Sequence, residues 1–88
     1  MFAGYRPVNL TGSNAVSTIS GELVGFYVNS TNAGTLVLKD SNGGTDAGTA
    51  LSGTITPAIG FHWFPATFSR GLYAKIGGTA LNVTFFIK

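Results

Sequence analysis

GELVGFYVNS, residues 21–30, is apolar on both sides of any strand drawn through it. Successive side chains of a strand point to opposite faces, so Val24, Phe26 and Val28 share one face while Leu23 and Tyr27 share the other. One face of such a strand fills a core, and the other must be covered as well. Working outward, the flanking segments are short runs of Thr, Val, Ile and aromatics, with glycine, Asn, Ser and Asp between them. That is the composition of an all-β protein. No helical reading survives, because glycine interrupts every alanine-rich stretch such as TDAGTALSG.

The strands can be placed one by one. YRPVNL (5–10) is an edge strand, since Pro7 cannot donate a ladder hydrogen bond. NAVSTIS (14–20) follows the turn Thr11-Gly12-Ser13, and GELVGFYVNS is closed by Thr31-Asn32-Ala33-Gly34. TLVLKD (35–40) alternates Leu36 and Leu38 against Val37 and Lys39, and the glycine-rich loop SNGGTDAG comes after it. ALSGTITP, GFHWFP, GLYAKI and ALNVTFFIK complete the set, the last two separated by Gly77-Gly78-Thr79. Seven to eight short antiparallel strands without an internal repeat or a linker predict a single domain over residues 1–88, a small jelly-roll-like β-sandwich.

At 88 residues the chain can build one modest core, and with no cysteine it has neither disulfides nor zinc thiolates to reinforce it. Charged residues are 9 % of the chain and hydrophobic ones 44 %, against roughly 25 % charged in ordinary soluble domains. A free monomer of this composition has a poorly charged surface. The net charge of +2 comes from side chains scattered singly, Arg6, Lys39, Arg70, Lys75 and Lys88 among them. That distribution offers no basic stripe to nucleic acid. No run approaches the roughly twenty apolar residues needed to cross a bilayer as a helix, and MFAGYRPVNL lacks the charged start and apolar run of a secretory signal. A soluble product assembled inside a cell is expected, with no membrane and no nucleic acid as partner. Three Asn-x-Ser/Thr triplets, at Asn9, Asn29 and Asn82, are expected by chance in a chain this rich in Asn, Ser and Thr.

Chemistry has few places to reside. Acid–base catalysis needs a tunable group beside a partner, and His62, in the run Phe61-His62-Trp63-Phe64, has no acidic neighbour in sequence. The loop DSNGGTD (40–46) resembles the start of a calcium loop, but glycine stands at its fifth position and Leu51 stands where the bidentate glutamate belongs. Asx-type turns account for the same residues. No catalytic residue, metal site or cofactor is therefore assigned.

Aromatic residues carry the stronger signal. In LNVTFFIK the core-facing set is Leu81, Val83, Phe85 and Ile87, which leaves Phe86 on the other side; Tyr73 likewise opposes Leu72, Ala74 and Ile76. With Phe61 and Trp63 on one face of FHWF and Phe64 on the other, the residues expected at a protein–protein contact are Leu23, Tyr27, Phe64, Tyr73 and Phe86. Carbohydrate binding through Trp63 or Tyr73 is the competing use of exposed aromatics.

The order of phrases GELVGFYVNSTNAGTLVLKDSNGG, TALSGTITP and FSRGLYAKIGGTALNVTFFIK resembles the small β-sandwich proteins encoded near the head genes of tailed bacteriophages. Those proteins read as a strand ending in an Asn-Ser/Thr turn, a second ending in Asp-Asn/Ser, an aromatic strand and a closing phrase like residues 71–85. The resemblance spans residues 21–88. It implies a non-enzymatic capsid decoration (cement) protein without cofactor, assembled in the host cytoplasm and placed on the virion surface. It also implies contact with the major capsid protein and a homo-oligomer, a trimer at threefold positions. A tail, fibre or baseplate component that binds a host receptor or glycan is the alternative.

Overall fold

The computed structural model describes residues 4–43 and 45–88, without the side chains of Thr79 and Ala80. Among the described residues six strands form one antiparallel sheet: β1 (Arg6–Leu10), β2 (Asn14–Ser17), β3 (Gly21–Asp40), β4 (Thr49–Ala50), β5 (Gly60–Phe68) and β6 (Leu72–Ile87). Two of them, β3 with 20 residues and β6 with 16, run the length of the molecule and pair with each other throughout.

The turns expected at 31–34 and 77–79 are bends inside these strands. They lie opposite one another, with Asn32 paired to Thr79 and Thr35 to Gly77. Register shifts cluster between Val28 and Thr35, which is how a bulged ladder bends without ending. Ala33 has φ 56° and Gly78 φ 73°, left-handed values that turn the backbone sharply. A Cβ on Gly78 would lie 2.5 Å from the Ala33 carbonyl oxygen, so the two bends nest against each other. Both strands therefore fold over together, and the sheet closes on itself as a small sandwich.

One half contains β1, the C-terminal part of β6, the N-terminal part of β3 and β5; the other contains β2, the remaining parts of β6 and β3, and β4. Counted by halves, the two bent strands give the number of strand segments expected from sequence. The segment ALSGTITP contributes least. Only Thr49 and Ala50 pair as strand, and Ile55 makes a lone bridge to Leu36. Between them the Ser52 hydroxyl accepts from the Leu38 amide at 3.0 Å, so a side chain takes the place of a ladder carbonyl.

The core lies between the halves. From β6 it takes Leu72 and Ala74, then Leu81, Val83, Phe85 and Ile87; from β3 it takes Leu23, Phe26, Val28, Leu36 and Leu38. The inward parity of β6 changes across the Gly77-Gly78 bend. In β3 it changes near Leu23, where two steps from Leu23 to Gly25 oppose one step from Ile87 to Phe86. This β-bulge inserts an extra residue and reverses the alternation. Leu23 therefore joins Phe26 and Val28 inside, and the buried Val24, outside that cluster, lies with Leu23 along a groove of about 610 Å³ that has Trp63 and Pro65 among its walls. The assignment of Leu23 to an outer contact is corrected: it is 1 % exposed and belongs to the core.

Candidate docking face

The outer face of the first half carries the molecule's aromatic cluster. Tyr27 on β3 pairs with Phe61 on β5, and Gly25 lies between Trp63 on β5 and Phe86 on β6. The Phe61 ring is 6.1 Å from Trp63 and 6.2 Å from Phe86, both tilted, within the range of favourable aromatic pairs. Gly25 is the floor of the cluster: a Cβ there would lie 2.9 Å from the Phe61 ring. Trp63 is 60 % exposed, Phe61 44 % and Tyr27 42 %, while Phe86 is half-buried beneath them. Large aromatics left this open on a rigid sheet are what a protein contact uses as anchors.

Beside the aromatics lies an uncharged polar cluster. Asn9 Nδ2 donates to Asn82 Oδ1 at 2.8 Å and to Thr84 Oγ1 at 3.0 Å; Asn29 Nδ2 donates to the same two atoms at 3.2 and 3.0 Å. The three Asn-x-Ser/Thr triplets thus converge on one spot. In the third triplet the spacing has a structural cause, because residues two apart on a strand share a face. Asn82 and Thr84 point outward on either side of the buried Val83, and the facing strands supply Asn9 and Asn29.

The five residues expected at a contact do not form one surface. Tyr27 and Phe86 belong to the aromatic face. Phe64 is corrected along with Leu23: it packs against the core, because the even-numbered residues of β5, ending in the buried Phe68, point inward. Tyr73 lies on the second half, opposite Ala15 and Lys39 in the ladder, and is separated from Tyr27 by the bends. Phe61 and Trp63 are the residues missed. Pro65 and Thr67 share their parity, and a proline and a threonine in the odd-numbered row mark it as the solvent side.

The other candidate groups are engaged in structure. His62 Nε2 lies 2.7 Å from the Ala58 carbonyl, to which it donates, and the ring stacks on Phe26 with centroids 5.2 Å apart. In the loop 40–46, of which Gly44 lies outside the described residues, the two carboxylates face donors. Asp40 accepts from the Ser69 amide at 2.9 Å, the Ser69 hydroxyl at 3.0 Å and the Arg70 amide at 3.1 Å, clamping the turn between β5 and β6 to the end of β3. Asp46 pairs with Lys39 at 2.8 Å and with Lys75 at 3.6 Å. Among the described residues no cluster of three or more His, Cys, Asp or Glu side chains is placed to hold a metal ion.

These bonds set an acid limit on stability. The Ser69 amide above all holds the Asp40 carboxyl below the ordinary aspartate value of 3.8, and the Lys39 hydrogen bond does the same for Asp46. With folded values depressed, the unfolded chain takes up protons first as pH falls. The contribution is therefore complete above the ordinary aspartate value and is lost as pH drops through the lower folded values. Urea midpoints are expected to be flat from about pH 7 to 5 and to fall below about pH 4. Asp40→Ala, measured in the same series, is expected to start lower and to show a shallower acid decline.

Comparison of the chain with protein-family models, with curated proteins and with solved structures gave no match in any of the three.

Proposed function

We propose that this chain is a non-enzymatic virion structural protein, a capsid decoration protein of a tailed bacteriophage that binds the outer surface of the major capsid protein shell and stabilises it. The observation that carries the reading is the aromatic face: Tyr27, Phe61, Trp63 and Phe86 gathered on one sheet face, with the Asn and Thr cluster beside it and a groove bordered by Tyr5, Glu22 and Pro65 next to Trp63. Interface cores are depleted in charge and enriched in aromatics, and a surface hidden in an assembly has no need of charge for solubility. The phrase-level resemblance to phage head proteins supplies the partner. The chain works as a homo-oligomer, and many weak contacts along a shell add up through avidity.

The test is cosedimentation of the purified chain with empty heads of the phage that encodes it. Tyr27→Glu and Trp63→Glu alter exposed side chains, so each is expected to weaken shell binding by about 2 kcal/mol or more, roughly thirtyfold, with β-type circular dichroism unchanged. Wild-type protein that stays in the supernatant, or variants that bind as it does, would overturn the reading. The amide cluster favours one second reading, a tail or fibre module binding a host glycan, since sugars pair stacking on aromatics with hydrogen bonds to fixed amides. Glycan-array binding without head binding would select it.

A further inference from the structure

A site of another kind lies in the turn after β3. The chain has six asparagines and no glutamine. Five of the asparagines stand in strands: Asn9 in β1, Asn14 in β2, Asn29 and Asn32 in β3, and Asn82 in β6. Asn42 alone lies outside them, exposed in the turn, and it alone is followed by glycine. An asparagine loses its amide when the backbone nitrogen of the next residue closes on its side-chain carbonyl carbon. Closure needs rotation about the asparagine's Cα–C bond, which the backbone of a strand resists, and an approach that a Cβ on the next residue obstructs. Neither obstacle stands at residue 42. Gly43 has φ 70°, and a Cβ there would meet nothing within 4 Å. One bond restrains its nitrogen: the Gly43 amide donates to the Arg70 carbonyl at 3.3 Å, long for an N–H···O bond. An exposed turn held this weakly opens locally while the sheet stays folded.

We infer that Asn42 is a site of spontaneous modification, converting to aspartate and isoaspartate through a cyclic imide. The Gly43 nitrogen gives up its proton and bonds to the Asn42 side-chain carbon; the bond from that carbon to Nδ2 breaks, and the amide nitrogen leaves as ammonia with the proton. Water then adds to either carbonyl of the imide and opens it. One opening restores the ordinary peptide link, the other runs the chain through the side-chain carbon, and each leaves one carboxylate. Nothing is oxidised or reduced, and water is the one co-reactant. The imide nitrogen carries no hydrogen, so the bond from Gly43 to Arg70 is lost while the ring exists. The product sets a new carboxylate two residues from Asp40, whose oxygens hold Ser69 and Arg70, and lowers the net charge of +2 by one unit. The rival site is Asn14, whose Oδ1 accepts from the Ala15 amide at 2.8 Å. That nitrogen is close, but Asn14 is paired to Ala74 and Ala15 to Tyr73, and Ala15 carries a methyl group. The modification stands apart from the docking reading, since Asn42 follows the end of β3 in the other half of the sheet.

The experiment incubates the full chain at mildly alkaline pH and 37 °C, with a peptide of residues 38–46 beside it, and follows both by isoelectric focusing and mass-spectrometric peptide mapping. The expected result is a species more acidic by one charge that maps to Asn42 and takes up one oxygen-18 atom when the incubation is in labelled water. The other five asparagines are expected to react at least tenfold more slowly. Because only the bond to Arg70 must open, the folded chain is expected to lag behind the peptide by no more than about tenfold. Asn42→Gln lengthens an exposed side chain without changing its charge, and it is expected to slow the acidification at least tenfold with circular dichroism unchanged. A folded chain that keeps its charge after the peptide has reacted completely would overturn the inference. So would an acidic species that maps to Asn14 or another asparagine, or an Asn42→Gln variant that acidifies at the wild-type rate.

Discussion

Replacing Phe85 with alanine is expected to lower the free energy of unfolding by about 3–5 kcal/mol, read from the urea midpoint at constant m. Phe85 is fully buried, sits opposite Phe26 on β3 and Val8 on β1, and its ring lies 5.9 Å from that of Phe26. Deleting the ring loses its transfer free energy and leaves a cavity between two sheet halves that share one backbone ladder. That ladder pairs the two long strands from Leu23 to Asp40, shifting register at its bulges without ending, so the walls cannot close without moving both strands. A domain of this size has roughly 4–13 kcal/mol of stability in total. The variant is therefore expected to populate unfolded chain measurably at 37 °C, whereas Phe61→Ala, which empties an exposed site, is expected to cost much less.

The contrast between these two phenylalanines also marks how much of the molecule the sequence makes legible. The inward set Leu81, Val83, Phe85 and Ile87 is readable because β6 alternates without interruption there, and the pairs Leu36/Leu38 and Leu72/Ala74 are readable for the same reason. The two long strands are not readable as such. Ala33 and Gly78 look like turn residues and do have turn-like backbones, but whether a bend ends a strand depends on the partner opposite it. Here the partner bends too. Leu23 fails for a related reason: a bulge reverses parity, and nothing local in GELVG distinguishes a bulge from a strand apolar on both faces. The doubled hydrophobicity that opens the sequence is thus only partly a contact signal. Leu23 is core; Tyr27 is surface.

The docking face shows the same division. Its polar part is visible in sequence as three Asn-x-Ser/Thr triplets, yet only the pairing of β1, β3 and β6 brings Asn9, Asn29 and Asn82 together across more than fifty residues of chain. Its aromatic part is visible as FHWF, but choosing between Phe61/Trp63 and Phe64 needs the parity of the whole β5 strand. The two aspartates of the loop 40–46 hold a turn and two lysines, with partners that range from Lys39, seven positions before Asp46, to Ser69 and Arg70, 29 and 30 positions after Asp40.

Gly25→Ala is expected to be costly both to the fold and to the docking face. A Cβ at residue 25 would lie 2.4 Å from the His62 carbonyl oxygen and 2.9 Å from the Phe61 ring. The first contact is with backbone, so no rotamer change relieves it, and β3 and β5 must separate at the point where the bulge already strains the register. Overpacking of this kind costs about 1–3 kcal/mol and occasionally more; with a carbonyl this close, the upper end is expected. Gly12→Ala is the control, since a Cβ there meets nothing within 4 Å and substitution at a compatible glycine is neutral or mildly stabilising. The functional effect should exceed what stability explains. Moving the floor lifts Phe61 away from Phe86 and tilts Trp63, so under the proposed capsid role shell binding at a temperature where the variant is still fully folded is expected to fall about tenfold, as for loss of about 1.4 kcal/mol of contact. Urea melts and head cosedimentation on the same preparations separate the two effects. Binding that is unchanged in a destabilised Gly25→Ala variant would overturn the proposal that this face docks on the shell.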